Sequence, residues 1–237
     1  MPTSKAKIDI IGNLLVALSI SIFLFGITTN INLPEHTQET PTAAAPVITG
    51  TASLNIIAAC SIEFKQGWNF ISFCANETNR NITSVLSPIN QSIRFVLEWD
   101  TPNQEFKVYT PRAATPPFDI FNLSKSYFVY YDDTSNTTVS LTGPAFNNIN
   151  LSLQQGWETP NYPYSVTANI TQYLDTIPGK YRFMQKWNYT PQEFMIYSAL
   201  SSNNPFYQIS AGEGQFILIT DAGGADLFYN KTRLENG

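Results

Sequence analysis

The chain has 237 residues, a net charge of −5, one His, two Cys, 13% charged and 14% aromatic residues. That composition is too apolar for a disordered polymer, and an acidic balance without a Lys/Arg cluster excludes the basic footprint that nucleic acid requires. The lone His36 rules out His-dependent triads and His-rich metal sites.

Residues 1–33 read as an anchor helix. Lys5 and Lys7 precede an uncharged apolar run at residues 10–27, whose eighteen residues would span roughly 27 Å as a helix, close to a bilayer's hydrocarbon thickness. The basic flank predicts a cytoplasmic N-terminus, an exported remainder and membrane contact through residues 10–27. A cleaved signal peptide is the rival, but its apolar core is usually shorter and followed by small residues. A pilin-like helix that packs in a filament core is a third reading. Residues 34–51, with Pro34, Pro41 and Pro46 among Thr and Ala, read as an extended linker.

The remainder is a duplication. Trp99-Asp-Thr-Pro-Asn-Gln-Glu-Phe-Lys-Val-Tyr109 returns 88 residues later as Trp187-Asn-Tyr-Thr-Pro-Gln-Glu-Phe-Met-Ile-Tyr197, and 16 of 53 positions match without a gap from Asn81 to Asp133. Self-similarity at a fixed period predicts two homologous units, placed at residues 52–143 and 144–231, with a tail at 232–237. The fold class expected is mainly β: an N-terminal transmembrane-type helix, then two tandem β-rich domains, sandwich- or barrel-like, each with one short helix.

In the first unit, residues 61–73 read as a hairpin turning at Gln66-Gly67. Centred there, Phe64 would face Phe70, Ile62 would face Ser72, and Cys60 would face Cys74. An even cysteine count in an exported domain predicts a Cys60–Cys74 disulfide. Ile82, Val85, Leu86 and Ile89 give a short helix. Ile93, Phe95, Leu97 and Trp99 alternate as the core face of a strand, Phe106 to Tyr109 is its partner, Tyr127 to Tyr131 is a central strand, and Thr138 to Leu141 closes the unit. The second unit repeats this order without the cysteines. Its Thr159-Pro-Asn-Tyr-Pro-Tyr164 replaces an unbroken strand, and the two prolines predict a short or edge strand there.

Nine Asn-x-Ser/Thr acceptors lie at Asn76, Asn81, Asn90, Asn122, Asn136, Asn150, Asn169, Asn188 and Asn230. The 22 Asn and 43 Ser or Thr of the chain would give about four by chance. The excess, all beyond the apolar run, points to N-glycosylation of an exported domain.

Gly67-Trp-Asn-Phe-Ile-Ser72, Val85-Leu86, Trp99, Phe106 to Tyr109, Pro111 and Tyr127 to Val129 together resemble a repeat module of bacterial and archaeal cell-surface proteins, one that opens on a Gly-Trp-Asn-Leu-Ile-Ser-type strand. The second copy carries Tyr173-Leu174, Trp187, Phe194 to Tyr197 and Gly212-Glu-Gly-Gln-Phe-Ile217 in the same places. The resemblance implies extracellular, tandem, β-rich modules of non-enzymatic surface proteins and supplies no catalytic residue.

Other candidates are weaker. Glu105 and Glu193 fall one per unit, so they are not an acid–base pair. Asp221 to Asp226 and Asp132-Asp133 offer too few oxygens for Ca²⁺. The matched tryptophans Trp68, Trp99, Trp157 and Trp187 suit core packing, which leaves Tyr162, Tyr164, Tyr189 and Tyr207 as the candidate exposed ligand patch. No catalytic residue, metal or cofactor is expected. The sequence predicts a non-enzymatic, membrane-anchored surface protein, structural or adhesive, whose partners are envelope proteins, glycans or further copies of itself. A filament subunit and a carbohydrate receptor are the alternatives.

Overall fold

The structure is a computed structural model that describes residues 57–188 and 193–235. The anchor helix, the linker, residues 52–56, Tyr189 and the last two residues lie outside them. Among the described residues no helix is long and apolar enough to cross a membrane.

The chain is mainly β. In the first repeat β1 (Ile57–Phe64) pairs antiparallel with β6 (Thr137–Pro144), forming a two-stranded ribbon. β2 (Gly67–Ile71), β3 (Ile93–Asp100), β4 (Glu105–Tyr109) and β5 (Tyr127–Tyr131) form a four-stranded sheet in the order β2-β5-β3-β4. The second repeat has the ribbon β7 (Ile149–Leu153) with β14 (Ala225–Tyr229). Its sheet orders β8 (Gly156–Glu158), β10 (Tyr181–Asn188), β11 (Glu193–Tyr197) and β13 (Gln215–Ile219) as β11-β10-β13-β8. The short helices α1 (Ile82–Val85) and α2 (Ile170–Tyr173) sit 88 residues apart, and the side chains of Asn81 and Asn169 cap their first turns. Small strands β9 (Ala168–Asn169) and β12 (Gln208–Ile209) pair with each other, and α3 (Lys231–Glu235) ends the described chain. The sheets stay open and close into no barrel.

The expected 61–73 hairpin does not form. β1 and β2 belong to different sheets, so Phe64 faces Thr137, Ile62 faces Val139 and Phe70 faces Phe128. Gly67, at φ 102°, turns the chain out of the ribbon into the sheet, as Gly156 does at φ 109° in the second repeat; only glycine takes that conformation without strain. Both turns cross between layers, and local turn chemistry alone cannot tell such a corner from a hairpin. Cys60 and Cys74 nonetheless come together at disulfide distance, with Cα atoms 6.2 Å apart. The pair joins the ribbon to the end of the sheet.

The alternation of β3 also needs correcting. A bulge between Ile93 and Phe95 shifts the register, and the same irregularity falls between Tyr181 and Phe183. Ile93 and Val96 therefore enter the first repeat's core, whereas Leu97 and Trp99 face the other way. The shortened strand expected in the second repeat is β8, three residues long at the edge of its sheet.

Each sheet buries two faces. Tyr127, Val129 and Tyr131 pack under the β1–β6 ribbon; Ile217 and Ile219 pack under the β7–β14 ribbon. The opposite faces meet. Trp68, Phe70, Leu97 and Phe128 of one repeat pack with Trp187 and Phe216 of the other, flanked by Trp99, Phe106, Tyr130, Trp157 and Phe194. The layers run ribbon, sheet, sheet, ribbon, and three apolar cores lie between them.

Candidate functional site

The junction between the two sheets holds most of what sequence reading singled out. Its hubs are Phe128 and Phe216, equivalent residues whose rings lie 6.3 Å apart. Phe128 meets Trp68, Phe70, Phe106, Trp187 and Phe194 at ring separations of 4.0–6.2 Å. Phe216 meets Phe70, Trp99, Phe106, Trp157 and Phe194 at 5.2–6.1 Å. Most of these contacts are edge-to-face, the arrangement that the ring quadrupole favours. The repeated Trp…Gln-Glu-Phe stretch thus builds the contact between repeats, while its last residue, Tyr109 or Tyr197, enters its own repeat's core.

Around this cluster the backbones exchange bonds in matched pairs. Ser72 N–H donates to Gly212 O at 3.0 Å, and Asn161 N–H to Ser124 O at 2.9 Å. Gly214 N–H donates to Phe70 O at 2.9 Å, and Ser126 N–H to Thr159 O at 2.7 Å. Ile71 bridges to Glu213, and Lys125 to Pro160. Each bond and its mate link equivalent positions, so an approximate two-fold relates the copies. The edge strand of each sheet runs on to pair with the loop before the other repeat's central strand.

Side chains complete the lock. Asn161 accepts from Phe73 N–H and donates to Phe73 O at 2.7 Å. Trp99 Nε1 donates to Trp157 O at 2.7 Å, and Gln104 Oε1 accepts from Trp157 N–H at 2.9 Å. Gln104 holds φ at +50° to do so, a left-handed conformation seldom taken by non-glycine residues. Thr101 donates to Glu158 at 2.7 Å. Phe70 is accommodated because its neighbour is glycine: a Cβ on Gly214 would lie 2.6 Å from the Phe70 ring. At the mirrored position Thr159 faces Ser126, so a large–small pair on one side answers a small–small pair on the other.

One ion pair is inverted between the copies. Lys125 meets Glu98 at 3.0 Å in the first repeat; Lys186 meets Glu213 at 3.1 Å in the second. Glu98 and Lys186 are equivalent, as are Lys125 and Glu213, so both signs have changed while the contact persists.

The expected ligand patch does not assemble. Tyr162 and Tyr164 are 0% and 3% exposed and lie in the second core. Their hydroxyls donate to backbone, Tyr162 to Val166 O and Tyr164 to Tyr229 O. The prolines beside them read as strand breakers, yet they turn the tyrosines inward. Tyr207 is 50% exposed and Tyr189 lies outside the described residues. Trp68 and Trp187 are buried, and Trp99 and Trp157 half-buried, in the junction rather than in a repeat's own core. Glu105 and Glu193 are exposed at equivalent ends of β4 and β11. Asp221 accepts from Gly223 N–H, and Asp132 pairs with Arg94. Among the described residues no three His, Cys, Asp or Glu side chains converge on a metal position.

None of the nine sequon asparagines is buried: Asn76, Asn122, Asn136, Asn150 and Asn169 are exposed, and Asn81, Asn90, Asn188 and Asn230 half-buried. At Asn81, Asn122 and Asn169 the side-chain oxygen accepts from the N–H and hydroxyl two residues on. These three sequons therefore have a turn-forming role of their own. The bonds occupy the carbonyl oxygen, whereas glycosylation takes the amide nitrogen.

Burial shifts several tyrosines. Tyr173 and Tyr229 are buried hydroxyl to hydroxyl at 2.6 Å, and desolvation pushes both phenols up. Tyr127 is raised by burial and by the Glu98 carboxylate that accepts its hydrogen bond. Half-burial pushes Tyr181 up to about 12. The Asp100 carboxyl is held down by the Asn103 amide and the Lys107 ammonium.

Comparison of the chain with protein-family models, with curated proteins and with solved structures finds no match.

Sequence reasoning gives neither Asn161 nor Gln104 a role in joining the repeats. Gln104 had a signal, because Gln192 stands at the same place in the second copy. Asn161 stands where the first copy has Ser72, and nothing local marks it.

Proposed function

We propose that this chain is a non-enzymatic, membrane-anchored surface protein in which the two interlocked repeats are a rigid displayed body with a structural or adhesive role. Residues 10–27 are its anchor and residues 34–51 its stalk. The observation that carries the reading is the accessibility of all nine N-glycosylation acceptors on a body whose two cysteines lie at disulfide distance. Disulfides persist in oxidising compartments, and glycans require an exposed amide. The low surface charge of the chain is then offset by sugar. The resemblance of Gly67 to Ser72 and of its second-copy counterparts to cell-surface repeat modules points the same way.

Mass spectrometry of the chain purified from its native membranes tests this. The expected result is an intact residue 10–27 segment, a Cys60–Cys74 linkage and glycan on several of the nine asparagines. A chain recovered from the cytosol with free thiols and bare asparagines would overturn it.

A further inference from the structure

Each four-stranded sheet ends in an edge strand, β4 in the first repeat and β11 in the second. The two have the same burial pattern, with Val108 and Ile196 exposed at 41% and 47%. Their chemistry differs. Along β4 and the loop after it stand Lys107, Pro111, Arg112 and Asp119; the equivalent positions after 88 residues are Met195, Ala199, Leu200 and Tyr207. Charges and proline are the usual means of keeping an edge strand from pairing with another chain. The second repeat has replaced all four. Leu200 is 93% and Tyr207 50% exposed, so the substitutions put apolar surface into water rather than into a core.

We propose that β11 is a self-association edge, which pairs antiparallel with β11 of a second copy across a two-fold axis at Met195. Full overlap of Glu193–Tyr197 with its mate sets Phe194 opposite Ile196, Glu193 opposite Tyr197 and Met195 opposite itself. No like charges face one another, and the Phe–Ile pairs occur twice on one face, an arrangement that stabilises sheets. The same pairing through β4 would set Lys107 against Lys107. The charge pattern therefore selects the second copy as occupant and β11, not β4, as the edge. A two-fold contact is closed, so it yields a dimer, not a fibre. The inference does not depend on where the chain is displayed.

Site-specific cross-linking of the full chain in mild non-ionic detergent tests it. With Cys60 and Cys74 paired, Met195→Cys supplies a single free thiol at the axis and should give disulfide-linked dimers on mild oxidation. Lys107→Cys, on the equivalent strand, should not. Sedimentation should show a dimer that Ile196→Lys, at an exposed position, weakens by about tenfold or more. Because each chain carries −5, added salt should tighten the dimer. Equal cross-linking at 195 and 107, or a dimer indifferent to Ile196→Lys, would overturn the proposal by locating association elsewhere, the apolar N-terminal run included. A monomer throughout the micromolar range would overturn it outright.

Discussion

The two repeats solve one problem with different chemistry. In each, a two-stranded ribbon must be held on the end of a four-stranded sheet. The first repeat uses Cys60 and Cys74, one from β1 and one just after β2. In the second, Ile149 and Pro163 stand at those places, and tyrosines take over. Tyr164 donates from beside Pro163 to Asn147 O and to Tyr229 O on the ribbon, and Tyr229 is itself bonded to Tyr173. One fastening is sensitive to redox conditions and the other to alkali. Between them lies a junction that both copies share, built by the same strand exchange in each direction.

The largest effect should come from the shared junction. Phe128→Ala removes a fully buried ring that touches aromatic residues of both repeats, and should cost about 3–5 kcal/mol. Urea denaturation followed by fluorescence and by circular dichroism should still show one transition; two separated transitions would mean that the repeats fold independently.

Reducing the cysteine pair comes next. The Cys60–Cys74 separation is 14 residues, for which loop closure predicts about 3 kcal/mol. In hydrogen exchange the first repeat's ribbon should lose protection before the second's. A uniform loss would remove the distinction between the two fastenings.

Alkali should act on the other copy. The phenols of Tyr173 and Tyr229 are raised in the folded chain, so the unfolded chain releases these protons from about pH 10 while the folded chain keeps them. Stability is therefore full below pH 10 and falls as pH rises beyond it. Thermal melts from pH 8 to 12 should show a flat region and then a steep decline. Tyr173→Phe should make the decline shallower, and an unchanged slope would contradict the assignment; Tyr127, raised in the first repeat, adds to the same decline.

The smallest effect tests the inverted ion pair. Glu98→Lys should destabilise by about 1–3 kcal/mol, because it sets two ammonium groups together in a half-buried site. Adding Lys125→Glu should restore most of the loss, since the double variant copies the second repeat's polarity. A double variant no better than the single one would refute the equivalence.

Much of the architecture was legible in the sequence for a physical reason. Strand alternation, the Asn81 and Asn169 caps and the 88-residue period are local or repetitive, so the short helices, the central strand at Tyr127 to Tyr131 and the weakened strand at Trp157 can be read directly. The corner at Gly67 could not be, because a glycine turn looks alike whether the chain returns to the same sheet or crosses to another. The junction was hidden for a related reason. A sheet buried on both faces shows aromatic residues at every position, and Phe128 and Tyr127 look equally core-like until a second sheet is seen to cover one of them. Tyr162 and Tyr164 read as a surface patch once the matched tryptophans are assigned to packing, yet both rings pack with Tyr173 and Tyr229 in the second repeat's core, contacts that no local pattern shows.

The central claim is that the two repeats form one cooperative body joined by strand exchange. Native-state hydrogen exchange on Leu227→Ala tests it most directly, because that side chain is buried in the second repeat's own core and is no part of the junction with the first. The account predicts that amides of β5 in the first repeat and β13 in the second lose protection together and by the same factor. Loss confined to β13, with β5 as protected as before, would contradict it.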